Sequence, residues 1–335
     1  MKVLSILLAC LLALIITATG LGSSHMAPER VVLALLGLGQ PMDMTIVWTL
    51  RLPRILLALL AGVALALAGA LLQRALRNPM ASPSILGVTD GAAVGVVGFL
   101  WLFSDTANNL TVSIHWQPLA AVIGATGFAV LVFTLSRHAA TGSRLGSLTI
   151  ILHGIALAAL AKALVTLLMI LGPIYRTNQA LTWLTGSVAA AHWSDVFILA
   201  IGLLIAFPLF VAAASSFQQM QLDDDTAFAT GLSVDPVRLT FLAFSVGLTA
   251  LAVSQVGAVG FIGLIAPHAA RPLTRPGSAS YLISVALIGA LLLLSADTLG
   301  RLVLPPYELP AGALTAFAGA PLFLYLLLKG QRSNG

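Results

Sequence analysis

A pair of arginines, a run of three aspartates and a few isolated histidines are the residues of this chain best suited to do chemistry. RLPR sets Arg51 and Arg54 three positions apart at the head of an apolar run, and Arg301 stands in LGRLVLPPYELP near the other end. A guanidinium pairs with a carboxylate through two parallel hydrogen bonds, so arginines at a rim can recognise acids on another molecule. They can equally snorkel, reaching from the edge of an apolar span into the headgroups. Asp223, Asp224 and Asp225 lie within the longest polar stretch of the chain, Phe217 to Leu239, and are followed by Gly231. Asp225 is placed to cap a short helix over Thr226 to Thr230, which Gly231 would end. A metal site is not expected there, because no histidine or further carboxylate lies nearby and adjacent acids diverge on a helix.

Enzymatic chemistry finds no constellation. His153, His192 and His268 are far apart, and neither HExxH nor GxSxG occurs. The phosphate-binding GxxxxGK[ST] loop is also absent, with Lys2, Lys162 and Lys329 the only lysines. His268 reads as a structural hydrogen-bonding residue at a helix end rather than a haem or iron ligand. Lys162, Asp90 and Asp297 fall inside apolar stretches but form no chain of acids, as an ion-coupled carrier would need. Lys162 could help an anionic ligand pass, or hydrogen-bond a neighbouring carbonyl.

The elements that must position these residues are membrane spans. Of 335 residues 59% are hydrophobic and 8% charged, a balance that no soluble core of this size requires. At roughly 20 residues per span the chain holds about ten, leaving little for a soluble domain. Every second break is basic: Arg74 with Arg77, Arg137 with Arg144, Arg238, Arg271 with Arg275, and Lys329 with Arg332. These are expected on the cytoplasmic side, with the N-terminus also inside. Arg30, Arg51, Arg54, Arg176 and Arg301 fall in the alternate breaks and need another explanation. The net charge of +5 is scattered in this way and does not point to nucleic acid. Cys10, the lone cysteine, excludes an internal disulfide. Residues 1–20 read as a retained first span rather than a signal peptide, because the apolar run is long for a signal core. GSSHM at 22–26 resembles a tag scar, but its position between two apolar stretches makes chance the better explanation.

Asn78, Pro79, Pro83 and Gly87 interrupt an otherwise continuous apolar helix. Irregular backbone at membrane depth survives only against protein or a water-lined cavity, so this turn is expected against partners and not lipid. Gly62, Gly69, Gly91 and Gly95 permit close helix approach; they could line a pathway or simply pack.

Several long motifs, in order, resemble the FecCD family, the membrane permeases of ABC importers for iron chelates, haem and cobalamin. They are RLPR at 51–54, GALLQRALRNPMASPSILGVTDGA at 69–92, LTWLTGS at 181–187, GAVGFIGLIAPHAAR at 257–271 and ELPAGALTAFAGAPLFLYLL at 308–327. The resemblance runs from Arg51 to the end. It implies an all-α, polytopic permease domain over 1–335 with about ten transmembrane helices. Its partners would be two cytoplasmic ATPases, a substrate-binding protein outside, and a second copy or a homologous permease. ATP and magnesium would be used by the ATPases, with no cofactor or metal held by this chain.

The resemblance also assigns roles. Arg51, Arg54 and Arg301 would face outward and engage glutamates of the binding protein. The cytoplasmic segment 217–239 would couple to the ATPases, through Gln218, Leu222, Asp223, Asp224, Asp225, Thr226, Ala229, Gly231 and Leu232. Asn78, Pro79, Gly87, Gly91 and Gly95 are candidates for the passage or its gate. LTWLTGS resembles the siderophore branch, so a ferric siderophore is the expected cargo, with haem or cobalamin as the alternative and an ion-coupled secondary transporter as the reading from another class. The setting would be a bacterial inner membrane.

Overall fold

The computed structural model describes residues 2–21, 26–105, 109–138, 147–172, 174–305 and 307–333. Residues 22–25 of the GSSHM stretch and Arg144 of the second basic break lie outside the described residues, as do the side chains of Arg176, Lys329 and Arg332. The described chain is helical: α1 (Lys2–Gly20), α2 (Pro28–Leu35), α3 (Pro41–Thr45), a π-helical turn (Ile46–Arg51), α4 (Leu52–Ala75), α5 (Val88–Leu102), α6 (Gln117–His138), α7 (Ser147–Leu171), α8 (Ile174–Thr185), α9 (Trp193–Gln219), α10 (Asp224–Ala229), α11 (Val234–Val256), α12 (Ile262–Ala270), α13 (Ala279–Leu302) and α14 (Ala311–Ser333).

Length and composition sort these helices. Among the described residues seven are long and apolar enough to cross a bilayer, from Lys2–Gly20 to Ala279–Leu302. Val88–Leu102 and Ala311–Tyr325 are shorter apolar helices. With α12 returning the chain between α11 and α13, the passes match the expected count of about ten.

The spans differ in what surrounds them. α4 is the centre, packed against α13, α11, α12, α9 and α1. Its sequence explains why: Ala58, Ala61, Ala64, Ala66 and Ala68 are fully buried, and small side chains let helix backbones approach where hydrophobicity offers no preference over lipid. Closest is the crossing with α12, where a methyl on Gly69 would overlap the Gly263 carbonyl. By contrast α1, α6, α7 and α9 present rows of exposed Leu, Ile and Phe, including Ile16, Ile123, Ile170 and Leu204. Those rows are the surface a bilayer would cover.

Starts and stops follow local chemistry. Pro53, lacking an amide N–H, sits in the first turn of α4, where that donor is dispensable. The Asp195 side chain accepts from the His192 amide at 2.8 Å at the head of α9. After α4 the chain breaks over 76–87, as its Asn, Pro and Gly content predicts. Ala81, Ser82, Pro83, Leu86 and Gly87 are buried, so this irregular backbone is covered by protein. The Gly87 backbone, left-handed at φ 71°, redirects the chain into α5.

Candidate docking, coupling and passage sites

The three arginines expected at a docking rim converge at the N-terminal end of α4, brought there by the π-helical turn, α4 and α13. Arg54 lies against Asp297: its Nε donates to Oδ1 at 2.9 Å and its Nη2 is 2.8 Å from the same oxygen. Its Nη1 donates to Glu308 at 2.8 Å. Arg301, one helical turn beyond Asp297, brings its Nε to 3.3 Å from Oδ2, within ion-pair range. Arg51 donates to the carbonyls of Thr19 and Gly20, and Arg301 approaches those of Ala18 and Leu21 at 3.4 Å. Carbonyls at a helix C-terminus have no intrahelical donor, so two guanidiniums satisfy the end of α1.

All three side chains are buried, at 6 to 8% exposure, and do not project from the protomer as an outward-facing rim would. They line a cavity of about 450 Å³ with Glu308 and His192. Among the described residues three guanidiniums face two carboxylates there, a net charge of plus one. Of the other two arginines expected on this side, Arg30 donates from Nε to Asp43 at 2.9 Å, and the Arg176 side chain lies outside the described residues.

The coupling segment forms at the far end of α4, about 36 Å away for a helix of its length. The cap is Asp223 and not Asp225: its side chain accepts from the Thr226 amide at 3.0 Å, and α10 begins at Asp224. The next aspartate, Asp224, is engaged elsewhere, with Arg77 at 2.8 Å and Arg238 at 2.9 Å. Arg238, only 5% exposed, also donates to the Ala75 carbonyl. Gly231 ends the helix as expected, at φ 88°; its amide bonds Phe228 and that of Leu232 bonds Ala227, the pairing of a glycine-terminated helix. Leu232 and Ala227 point inward, whereas Gln218, Leu222, Asp225, Thr226, Phe228 and Ala229 are exposed. Phe228 is 70% exposed. Hydrogen bonding from the Thr226 hydroxyl and amide holds the Asp223 carboxyl below the usual carboxylate range.

The five passage candidates separate into two groups. Asn78 folds the turn, its side chain accepting from the Met80 amide at 2.9 Å, and Pro79 is exposed beside it. Pro79 lines a cavity of about 330 Å³ at this end of the molecule. Gly87, Gly91 and Gly95 lie within the protomer's packing. A methyl on Gly91 would overlap Phe128, and one on Gly95 the Ala120 carbonyl, both on α6. Packing, one of the two readings the sequence left open, describes these contacts.

Sequence reasoning missed several partners. Asp297 carried a signal, an acid in an apolar helix four positions before Arg301, but its pairing with Arg54 spans most of the chain. Arg77 and Arg238 were absorbed by the charge bias of the basic breaks. Three of the recognised motifs also interlock through backbone: the Gly312 amide donates to the Gly186 carbonyl at 2.9 Å, Ala258 N to Trp183 O at 3.1 Å, and Ser187 N to Val256 O at 2.8 Å. Lys162 is exposed midway along α7, and its ammonium makes no hydrogen bond or ion pair among the described residues. Of its two readings, the interhelical hydrogen bond is not formed.

Comparison with known proteins follows the same architecture. A sequence profile of the FecCD transport family matches residues 10–329. The chain is 44% identical over 330 residues to a protein of Bacillus subtilis (strain 168) described as a probable siderophore transport system permease, covering 98% of this chain and 94% of the relative. It is 40% identical over 322 residues to the Fe(3+)-citrate import system permease protein YfmE of the same organism, covering 96% and 93%. The achromobactin transport system permease protein CbrC of Dickeya dadantii (strain 3937) is 39% identical over 325 residues, covering 97% and 90%. Among solved structures, one described as an inward-facing conformation of a metal-chelate type ABC transporter superposes with a TM-score of 0.85 at 29% identity, covering 98% of this chain and 99% of the other.

Proposed function

Since the chain belongs to the FecCD transport family, a family of multi-pass permeases and not of enzymes, we propose that it is the membrane subunit of an ATP-driven importer that passes a ferric siderophore inward. The observation that carries this is the end-to-end likeness to a siderophore permease, 44% identical across 98% of the chain. The chain holds no cofactor in this reading. ATP and magnesium act on two separate ATPase subunits, and a second permease, identical or homologous, completes the passage.

The face bearing α10 is cytoplasmic in this scheme, and the membrane is the bacterial inner membrane. Exposed Leu222, Thr226, Phe228 and Ala229 give a partner a mixed apolar and polar ridge, while the Asp224 pairs with Arg77 and Arg238 tie that ridge to α4 and α11. A push on α10 is thereby transmitted to the central helix, which is the kind of two-state element a transporter needs. At the opposite end, the excess positive charge around Arg51, Arg54 and Arg301 suits carboxylates of a binding protein, which would compete with Glu308 for Arg54. In this reading Asn78 and Pro79, in the turn after α4 on the α10 side, would serve as gate residues.

Uptake of labelled ferric siderophore, haem and cobalamin into proteoliposomes, with and without enclosed ATP and external binding protein, tests the reading. Siderophore uptake that requires both supports it. Uptake driven by an ion gradient without ATP overturns it, and ATP-dependent uptake of haem or cobalamin alone changes the cargo.

A further inference from the structure

At the α10 end of the molecule three arginines from two separate parts of the chain meet around one cavity. Arg74 and Arg77 come from the end of α4 and the turn after it, and Arg271 follows α12; Gln73, Gln221 and Tyr281 complete the polar wall of a space of about 330 Å³. Among the described residues no Asp or Glu lines it. Arg77 has Asp224 as a partner, but Arg74 and Arg271 form no ion pair among the described residues. Arg271 donates instead to the neutral Gln73 Oε1 at 3.1 Å. The Arg74 guanidinium lies over the Phe217 ring, 4.6 Å from its centroid, and its Nε is buried without a hydrogen-bond partner. A second cavity of about 480 Å³ adjoins through Gln221 and Pro276 and adds Arg275, again without a carboxylate.

A bias of basic residues toward one membrane face accounts for how many arginines lie here, not for their convergence on one space. Like charges drawn together with a buried N–H left unpaired are costly unless an anion joins them. Both cavities sit at the end of α9, whose outer face exposes Leu204, Ile205, Phe207 and Leu209, a surface that a bilayer would cover. A polar space at the foot of a lipid-facing helix lies at headgroup level, where phosphate is the abundant anion.

We infer that Arg74, Arg77 and Arg271 form a binding site for the phosphate of an anionic phospholipid headgroup. The inference rests on the membrane placement and not on the cargo. Arg74 supplies the buried donor, Arg271 and Arg77 the flanking charge, and the glutamines bond the glycerol or sugar hydroxyls beyond the phosphate. Such a lipid would brace the ends of α4, α9 and α13 against one another beside the coupling segment.

The test uses the full chain in nanodiscs of phosphatidylcholine, with or without a minor fraction of phosphatidylglycerol or cardiolipin, and counts retained lipids by native mass spectrometry. Selective retention of the anionic lipid is expected, lost several-fold in the Arg74→Gln, Arg271→Gln double variant. Gln221→Glu keeps every arginine but adds a carboxylate to the wall, losing only the Gln221 Nε2 hydrogen bond to the Pro276 carbonyl at 2.7 Å; it should lose the lipid while the protein stays folded. Equal retention by wild type and both variants overturns the site. So does displacement of the lipid by millimolar inorganic phosphate together with phosphate binding in pure phosphatidylcholine, which would make free phosphate the ligand. Loss of the ATPases from the double variant with lipid retention unchanged would assign these arginines to a protein partner and also overturn it.

Discussion

Arg54 and Asp297, 243 positions apart in the chain, meet as a buried ion pair with a closest contact of 2.8 Å. The pair joins α4 to α13, and through Arg301 it also holds the end of α1. Removing one partner strands the other charge, which costs about 3–5 kcal/mol in a buried setting. Asp297→Asn should therefore lower the melting temperature of the detergent-purified protein and loosen α1, visible as faster proteolysis near residue 20. An unchanged melting temperature would show that solvent reaches the pair.

Glu308 is the replaceable member of the cluster, with 38% of its side chain exposed. Glu308→Gln should leave the fold intact and free one edge of Arg54 for a partner's carboxylate. Tighter docking of the binding protein, by several-fold in surface plasmon resonance, is expected. Docking that does not respond would remove Arg54 from the contact.

Asp224 holds α10 through two guanidiniums. Asp224→Ala should cost about 1.5–3 kcal/mol, the range for hydrogen bonds to charged groups, and weaken retention of the ATPases. Phe228→Ala offers the contrast: an exposed side chain whose loss should reduce co-purification of the ATPases while the melting temperature stays the same.

The cap of α10 is pH-sensitive in a known direction. The Asp223 carboxyl titrates below its unfolded value of about 3.9, so its contribution is complete above that pH and is lost as pH falls through the lower, folded value. Hydrogen exchange at the Thr226 amide should accelerate only in acid below about pH 4. Asp223→Asn, which also caps well, should abolish that acid step.

Gly95 discriminates packing from passage. A methyl there would push α6 away, and overpacking of this kind costs about 1–3 kcal/mol. Gly95→Ala should lower the melting temperature along with uptake. Reduced uptake at full stability would put the residue on the transport route.

Lys162 provides a test of cargo charge. An ammonium with no hydrogen bond or ion pair among the described residues is costly against lipid, so it should face water or the partner permease. In proteoliposomes, Lys162→Gln should slow uptake of an anionic ferric chelate more than that of a neutral one. Equal slowing of both would reduce its role to structure.

The sequence by itself determined the all-helical membrane architecture, the break at Asn78 to Gly87, the gathering of Arg77, Arg238 and Arg271 on one face, and a short Asp-led helix stopped by Gly231. Each of these is written locally, in apolar run length, in residues that cannot continue a helix, and in which breaks carry positive charge. The tertiary structure alone decided that Arg54 and Arg301 share Asp297, that Asp223 is the cap while Asp224 pairs with Arg77 and Arg238, and that Gly91 and Gly95 face α6. Helices apolar on every side carry no stripe that names their neighbours. Which of them touch is settled only when small residues from distant spans find surfaces close enough to pack, and the few buried charges pair wherever that packing brings them together.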